Sequence, residues 1–167
     1  IHSNRMMIAK HIIQKYDINN KKLIKHEFKV FSQCGEDGII QYLINNMIID
    51  NKTFIEFGVQ NYTESNTRFL LVNNNWNGLV YDGSKDHIDY IKNDNVYWMY
   101  SLKAEHIFID AENIDSSILQ SGMSGDIGLL SVDIDGNDYW VWKNINSVSP
   151  RIVVCEYNSL FGCDRSI

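Results

Sequence analysis

The chain has 167 residues, 44% of them hydrophobic and 22% charged, which is enough apolar material for one domain with its own core and excludes a disordered chain. Its formal net charge of −6 argues against a partner that presents a nucleic-acid backbone, because neutralising phosphates needs clustered Lys and Arg. No apolar run approaches the ~20 residues needed to cross a bilayer, so we expect no membrane span.

The compartment is predicted from the cysteines and the first residues. Cys34, Cys155 and Cys163 are odd in number and lack zinc-ligand spacing, which favours a reducing environment. The first residues lack the order of a signal peptide, so we expect a cytoplasmic protein. Because the sequence starts without Met and stops after a loop-like segment, we also expect it to be part of a longer chain.

The N-terminal part of the sequence predicts helices. Apolar residues recur at helical spacing from Met6 to Ile13 and again from Ile39 to Ile48. Gly35 and the acidic pair that follows it suit the start of the second helix. With no repeat or linker in the sequence, we predict one domain over 1–167, with a helical segment over 1–50 and an α/β core over 51–167.

After residue 50, short apolar runs alternate with helical stretches. The runs predict strands over 53–57, 78–82, 96–100, 127–133 and 151–156. Helices are predicted near 64–75, 85–93, 111–121 and 138–146. Most of the runs lack polar alternation, as in strands covered on both faces. The pattern predicts an α/β fold with a doubly wound, mostly parallel sheet, and a mixed α+β domain is the alternative.

Acidic residues follow four of the five predicted strands. They are Glu56, Asp82, Asp133 and Glu156. Ligands of open parallel sheets bind at the carboxyl ends of the strands, so these acids predict a site there, and a merely solvated rim of loop acids is the alternative. Gly58 follows the first strand where the backbone must turn sharply, but the pyrophosphate motif GxGxxG is absent. Asp82 is placed to accept ribose hydroxyls.

Five segments in order resemble the class I S-adenosylmethionine-dependent methyltransferases, and most closely their bacterial FkbM-like and sugar O-methyltransferase-like groups, often found near surface-glycan genes. The segments are FSQCGEDGII (31–40), FIEFGVQNYTESNT (54–67), GLVYDGS (78–84), LLSVDIDGNDYWVW (129–142) and RIVVCEYN (151–158). The resemblance implies a Rossmann-like fold with N-terminal helices, S-adenosylmethionine as cofactor, and two further strands that this sequence does not reach.

The resemblance also implies roles for individual residues. Glu56 and Gly58 would lie beside the methionine part of the cofactor, with Val59, Gln60 and Asn61 replacing the absent glycines. Asp82, followed by Gly83 and Ser84, would bind the ribose. Asp110 and Ala111 would flank the adenine. Asp133 would face the methyl group and the acceptor.

The loop after the fourth predicted strand offers hard oxygen ligands on a short stretch of chain. Asp133, Asp135 and Asp138 suit Mg²⁺, although the spacing is not that of an EF-hand. In the alternative reading, Asp138 caps the next helix and Asp135 belongs to a turn. For the chemistry itself, Asp133, Asp135 and Glu156 are the candidate catalytic residues, and Glu156 is the candidate base.

Three aromatic residues follow this loop at helical spacing and are predicted to be core rather than a wall of the acceptor site. They are Tyr139, Trp140 and Trp142. No GxSxG elbow is present, which argues against a serine hydrolase.

The predicted function is methylation of an oxygen on a sugar, a glycan precursor or another small polar acceptor. Two alternatives remain open. One is a catalytically inactive module of methyltransferase type that binds a nucleoside or a protein. The other is a metal-dependent hydrolase or phosphotransferase that uses the acids of 133–138.

Overall fold

The structure, a computed structural model, describes residues 2–17 and 20–157. Its helices and strands alternate along the chain after an N-terminal helical part. In chain order they are α1 (His2–Gln14), a 3₁₀ turn (Leu23–His26), α2 (Glu36–Asn46), β1 (Thr53–Phe57), α3 (Arg68–Asn74), β2 (Asn77–Asp82), α4 (Lys85–Asn93), α5 (Asn95–Met99), β3 (Leu102–His106), α6 (Ile114–Gln120), β4 (Gly125–Val132), α7 (Asp138–Lys143) and β5 (Val148–Cys155).

The five described strands form one all-parallel sheet in the order β3-β2-β1-β4-β5, which confirms the predicted Rossmann-like α/β fold with N-terminal helices. β1 pairs with β2 on one side and with β4 on the other. The chain therefore changes its direction of winding between β1 and β4. In open parallel sheets this switch point leaves a crevice outside the carboxyl ends of the strands, where ligands bind.

The sheet is covered on both faces, which explains why its strands read as nearly continuous apolar runs. Phe54 packs in one buried cluster with Leu70 of α3 and Ile88 of α4. The next residue, Ile55, lies in a second cluster with Ile118 of α6. Successive side chains of a strand point to opposite faces, so a strand buried on both sides needs apolar residues at nearly every position.

The strand predicted over 96–100 is wrong, because this segment is helix α5, and β3 follows it. The Asp94 carboxylate accepts a hydrogen bond from the Val96 N–H and so caps the helix. Trp98 is 72% exposed, so its aromatic ring marks a surface helix rather than a buried strand. The true β3 alternates buried Leu102 with exposed Lys103, because it is an edge strand that pairs with β2 alone.

The N-terminal segment packs on the core through a loop that a buried acid organises. One carboxylate oxygen of Asp37 accepts hydrogen bonds from the backbone N–H groups of residues 30–32, at 2.7 to 3.0 Å. Phe31 of this loop is buried in a cluster with Phe69 of α3, and its carbonyl accepts from the Ser65 N–H. The segment therefore reaches the carboxyl edge of the sheet and is held there.

Two further sequence predictions concern membrane spans and cysteines. Within residues 2–17 and 20–157, no helix is long and apolar enough to span a membrane. Cys34 and Cys155 both carry free thiols, and Cys163 lies outside the described residues, as does Asn158 at the end of the last motif.

Candidate functional site

A cleft of about 720 Å³ opens at the carboxyl edge of the sheet. Residues that follow each of the five strands line it: Gly58 after β1, Gly83 after β2, Phe108 after β3, Asp133 after β4 and Glu156 after β5. This volume lies within the range of clefts that bind small molecules. The cleft therefore lies where the topology of the sheet predicts a ligand.

The structure brings most of the predicted site residues together in this cleft. Those that line it are Glu56, Gly58, Val59, Gln60, Asp82, Gly83, Asp133, Asp135 and Glu156. Those outside the lining are Asn61, Ser84, Asp110, Ala111 and Asp138. Asp110 is occupied in a local turn, where its carboxylate accepts from the N–H groups of Glu112 and Asn113.

Glu56 is almost wholly committed to hydrogen bonds within the protein. Its side chain is buried and accepts from the hydroxyls of Ser65 (2.6 Å) and Thr67 and from the N–H groups of Asn66 (3.0 Å) and Thr67 (3.2 Å). Burial raises the pKa of Glu56, and the hydrogen bonds of Ser65 and Thr67 oppose that rise. Glu56 thus orders the start of α3 beneath the cleft.

The loop after β1 turns tightly enough to offer its backbone to a ligand. Gly58, Gln60 and Tyr62 all have positive φ, at 70°, 49° and 61°. A side chain on Gly58 would collide with the next loop, since its Cβ would lie 1.8 Å from the Asp133 carbonyl oxygen. Glycine at position 58 therefore allows both the positive φ and the close approach of the loop after β4.

Asp82 ends β2 and is 8% exposed, with both carboxylate oxygens in use. Oδ2 accepts from the Gln60 N–H at 2.7 Å, which ties the β1 loop to the β2 loop. Oδ1 accepts from the Ser84 N–H at 2.8 Å and lies 2.9 Å from Nδ1 of His87. The carboxylate is therefore held in one orientation at the edge of the cleft.

Three carboxylates lie close together where the loops after β4 and β5 line the cleft. One carboxylate oxygen from each of Asp133, Asp135 and Glu156 lies within 4.8 Å of the others, and all three residues are exposed. Although Asp133 is exposed as a residue, partial desolvation of its carboxyl, followed by the charges of Asp138 and Asp135, raises its pKa. Partial desolvation and the charge of Asp133 likewise raise the pKa of Glu156, because both disfavour a second anion at this position. The group can take up a proton or a cation.

Asp138 is not a member of this acidic group. Its buried carboxylate accepts from the N–H groups of Ile134 (2.9 Å) and Gly136 (3.1 Å), which holds the loop after β4 in its turn. Asp135, with φ of 55°, stands at the tip of that turn. Asp138 is therefore a loop-supporting residue rather than the predicted cap of the next helix, since it is the first residue of α7 and its carboxylate accepts from N–H groups that precede the helix. Glu156 takes its place beside Asp133 and Asp135.

Several lining residues were missed or given little weight by the sequence reading. Phe108 and Tyr157 bring aromatic surface to the cleft, and Gln33 and Glu36 bring the N-terminal segment to it. Phe108 lies in the apolar run just after β3, so a correct placement of β3 would have put it at the site. Nothing in the sequence alone shows that residues 33 and 36 fold over an edge formed by strands far along the chain.

The aromatics of α7 are not core residues, which corrects the sequence interpretation. Tyr139, Trp140 and Trp142 are 58%, 51% and 43% exposed. The Lys143 ammonium lies 5.6 Å and 5.3 Å from the ring centres of Tyr139 and Trp140. Val141 is the hydrophobic residue of this helix that lies in the core. A short helix with one buried face leaves the three aromatic side chains in solvent.

Comparisons with protein-family models and with curated proteins found no match for the chain. What the structure defines is a Rossmann-like α/β protein whose cleft occupies the position where this class binds nucleotides and cofactors.

Proposed function

We propose that the chain is an S-adenosylmethionine-dependent methyltransferase that acts on an oxygen of a sugar or of another small polar acceptor. The observation that carries this proposal is the charge of the cleft. Among the described residues, seven acids and no Lys, Arg or His line it. The acids are Glu36, Glu56, Glu64, Asp82, Asp133, Asp135 and Glu156.

This charge discriminates between the cofactors that Rossmann-like folds bind. S-adenosylmethionine carries a sulfonium and an ammonium group, so its reactive end is attracted by carboxylates. A dinucleotide instead brings a pyrophosphate, which would meet these acids without a GxGxxG cradle or a lining cation. Lys29 pairs with Glu64 at 3.3 Å at the rim, and Glu56 is committed to donors within the protein, so the other five acids are left to attract a cation.

In the proposed complex, the loops after β1 and β2 form the Asp82 half of the cleft, and the loops after β4 and β5 form the Asp133 half. The Asp82 half holds the nucleoside, with the backbone of Gly58, Val59 and Gln60 beside the methionine part. The segment 107–109, which lines the cleft, takes the place beside the adenine that the resemblance gave to Asp110 and Ala111. The Asp133 half faces the acceptor.

The cofactor supplies a methyl group on a positively charged sulfur. The acceptor oxygen forms a bond to the methyl carbon as the carbon–sulfur bond breaks, and the bonding pair leaves with the sulfur as a neutral thioether. Glu156 takes the hydroxyl proton, and Asp133 orients the hydroxyl. The raised pKa values of Asp133 and Glu156 make these carboxylates stronger bases than a fully solvated carboxylate. Holding the two reactants in line supplies much of the rate.

As the alternative to proton uptake by Glu156, we propose that Asp133, Asp135 and Glu156 bind Mg²⁺. Their oxygens lie within 4.8 Å of one another, and carboxylates are the ligands that Mg²⁺ prefers. A bound Mg²⁺ would make the acceptor hydroxyl more acidic. The committed carboxylate of Asp138 would support the loop rather than bind the ion.

Thermal unfolding with S-adenosylhomocysteine tests the cofactor. A ligand that binds the folded state at one hundred times its dissociation constant stabilises it by about 2.7 kcal/mol, so we expect a clear rise in Tm. NAD⁺ and ADP are the controls and should give little change. The Asp82→Asn variant should lose most of the rise. Stabilisation by NAD⁺ but not by S-adenosylhomocysteine would refute the proposal.

Transfer of a labelled methyl group tests the reaction. We expect labelling of a neutral sugar or polyol in a panel of acceptors, with and without Mg²⁺, and no labelling of their phosphorylated forms. Binding of S-adenosylhomocysteine without any transfer would favour the inactive nucleoside-binding module. Stabilisation by Mg²⁺ alone, with cleavage of a phosphate ester, would favour the hydrolase or phosphotransferase.

A further inference from the structure

We propose that His87 limits Asp82 to a single hydrogen bond with the ribose of the bound nucleoside, so that the protein reads one ribose hydroxyl and ignores the other. The inference rests on the proposed function, since it concerns how the same cleft recognises its adenosine cofactor. It makes His87 a specificity-determining residue that acts through Asp82.

The argument begins with the capacity of the Asp82 carboxylate. An ionised carboxylate is an acceptor only, with about four lone-pair positions on its two oxygens. In this structure the Ser84 N–H and the His87 ring both use Oδ1, and the Gln60 N–H uses Oδ2. Three positions are therefore filled before a ligand arrives. One position, on Oδ2, is left for a hydroxyl.

The two backbone donors among these are fixed in place, and the His87 ring, whose side chain is 41% exposed, is held by its hydrogen bond to Oδ1. The Ser84 hydroxyl accepts from the His87 N–H at the start of α4, so the backbone of His87 is anchored to the same turn. The Gln60 N–H belongs to the strained loop after β1. A ligand cannot displace either backbone donor without rearranging a loop. The His87 side chain is the one donor of the three that a substitution can remove.

A second histidine holds the same turn from the neighbouring strand. Nε2 of His106 donates to the Gly83 carbonyl at 3.0 Å, and the β2–β3 register places His106 opposite Asp82. Because a carbonyl and a carboxylate accept, Nε2 of His106 and Nδ1 of His87 each carry the proton. The turn that follows Asp82 is therefore held from two sides, and the hydrogen bonds to both carboxylate oxygens oppose rotation of the Asp82 side chain.

Recognition of the nucleoside then becomes asymmetric. A bidentate acid would lose affinity for a ligand lacking either hydroxyl. An acid with one open position loses affinity for one of the two deoxy ligands only. A hydrogen bond to a charged group contributes about 1.5–3 kcal/mol, which converts to a loss of about tenfold or more.

The test uses the whole chain, with S-adenosylhomocysteine and its 2′-deoxy and 3′-deoxy analogues as probes in calorimetric titration. For the wild type, we expect one analogue to bind about tenfold or more weakly and the other to stay within about twofold of the parent. Equal losses for both analogues, or a loss for neither, would overturn the inference. These outcomes leave the proposed function standing, provided that the parent ligand binds. No binding of the parent would end both.

Two variants of similar shape identify His87 as the cause. His87→Asn places an amide N–H close to the position of Nδ1, so it should keep the wild-type pattern. His87→Leu has no donor and frees a position on Oδ1, so both deoxy analogues should now bind more weakly than the parent. If Leu and Asn give the same pattern, His87 does not set the selectivity and the inference fails. The wild-type comparison stands even if a variant fails to fold.

Discussion

The α-carbon of Gly58 faces the backbone carbonyl of Asp133 so closely that a Cβ at position 58 would lie 1.8 Å from that oxygen. The contact joins the loops that follow β1 and β4, the two strands on either side of the switch point. The loop after β1 lies beside Asp82 in the cleft, and the loop after β4 carries Asp133 and Asp135. The two loops can approach this closely only because residue 58 has no side chain.

Replacing Gly58 with Ala should therefore destabilise the protein and disturb the cleft together. The clash with backbone and the positive φ of 70° should lower the free energy of unfolding by about 2–3 kcal/mol. Gly122→Ala is the matched control, because Gly122 has φ of 87° but open space around it. It should cost about 1–2 kcal/mol, the price of the left-handed backbone alone. Urea denaturation of both variants makes the comparison, and equal losses would contradict the contact.

Thr67 should matter for stability because it donates twice to a buried acid. Thr67→Val removes the hydroxyl that reaches Glu56 and leaves the carboxylate with one donor fewer. We expect a loss of about 1–3 kcal/mol in unfolding free energy. Thr63→Val, at an exposed position on the same loop, should lie within about 0.5 kcal/mol of the wild type. If the two variants unfold alike in urea, the Glu56 network does not stabilise the loop.

Asp138 and Asp135 should separate stability from ligand binding. Asp138→Ala removes two hydrogen bonds that hold the loop after β4, and it should cost about 1–2 kcal/mol. Asp135→Asn keeps a side chain that tolerates the positive φ, and its stability should stay within about 0.5 kcal/mol of the wild type. Thermal unfolding with added Mg²⁺ should show a Tm rise in the wild type that Asp135→Asn reduces. A reversed order of stabilities would mean that the hydrogen bonds of Asp138 do not stabilise the loop after β4.

The Asp133–Glu156 pair should make stability fall with rising pH. The pKa of Glu156 is raised above its ordinary value of 4.5, so the folded state holds this proton more tightly than the unfolded chain does. The contribution of Glu156 to stability is therefore most favourable below pH 4.5 and declines as the pH rises through the raised value. In the presence of EDTA, Glu156→Gln should raise Tm near pH 7 by roughly one or two degrees, and the gain should vanish near pH 4.

Glu112→Gln controls for the loss of one negative charge, because Glu112 is exposed and lies outside the cleft. It should show no comparable gain at neutral pH. A Tm difference for Glu156→Gln that is the same at pH 4 and pH 7 would show that its ionisation does not destabilise the cleft.

The sequence predicted the sheet well because burial on both faces leaves nearly continuous apolar runs, such as the one over 127–132 with Ser131 as its one polar residue. It failed at β3, where an edge strand alternates Leu102 and Lys103 while the preceding aromatic run forms a surface helix. The acids at the strand ends could be predicted because parallel strands bring their carboxyl ends to one edge. The sequence could not decide whether Asp138 binds a metal ion or supports its loop. The answer depends on the backbone conformation of residues 134–136, which places two N–H groups beside the Asp138 carboxylate.

The loop organised by Asp37 has a consequence for how the chain can be divided. A fragment trimmed to the sheet and its flanking helices, from β1 onward, would strip the cover from Phe69 and take away Gln33 and Glu36. The result would be a wider, shallower opening beside the β1 loop, with an apolar side chain newly in water. Ligand selectivity and solubility would thus change at the same cut, although every strand and every acid of the strand ends would still be there.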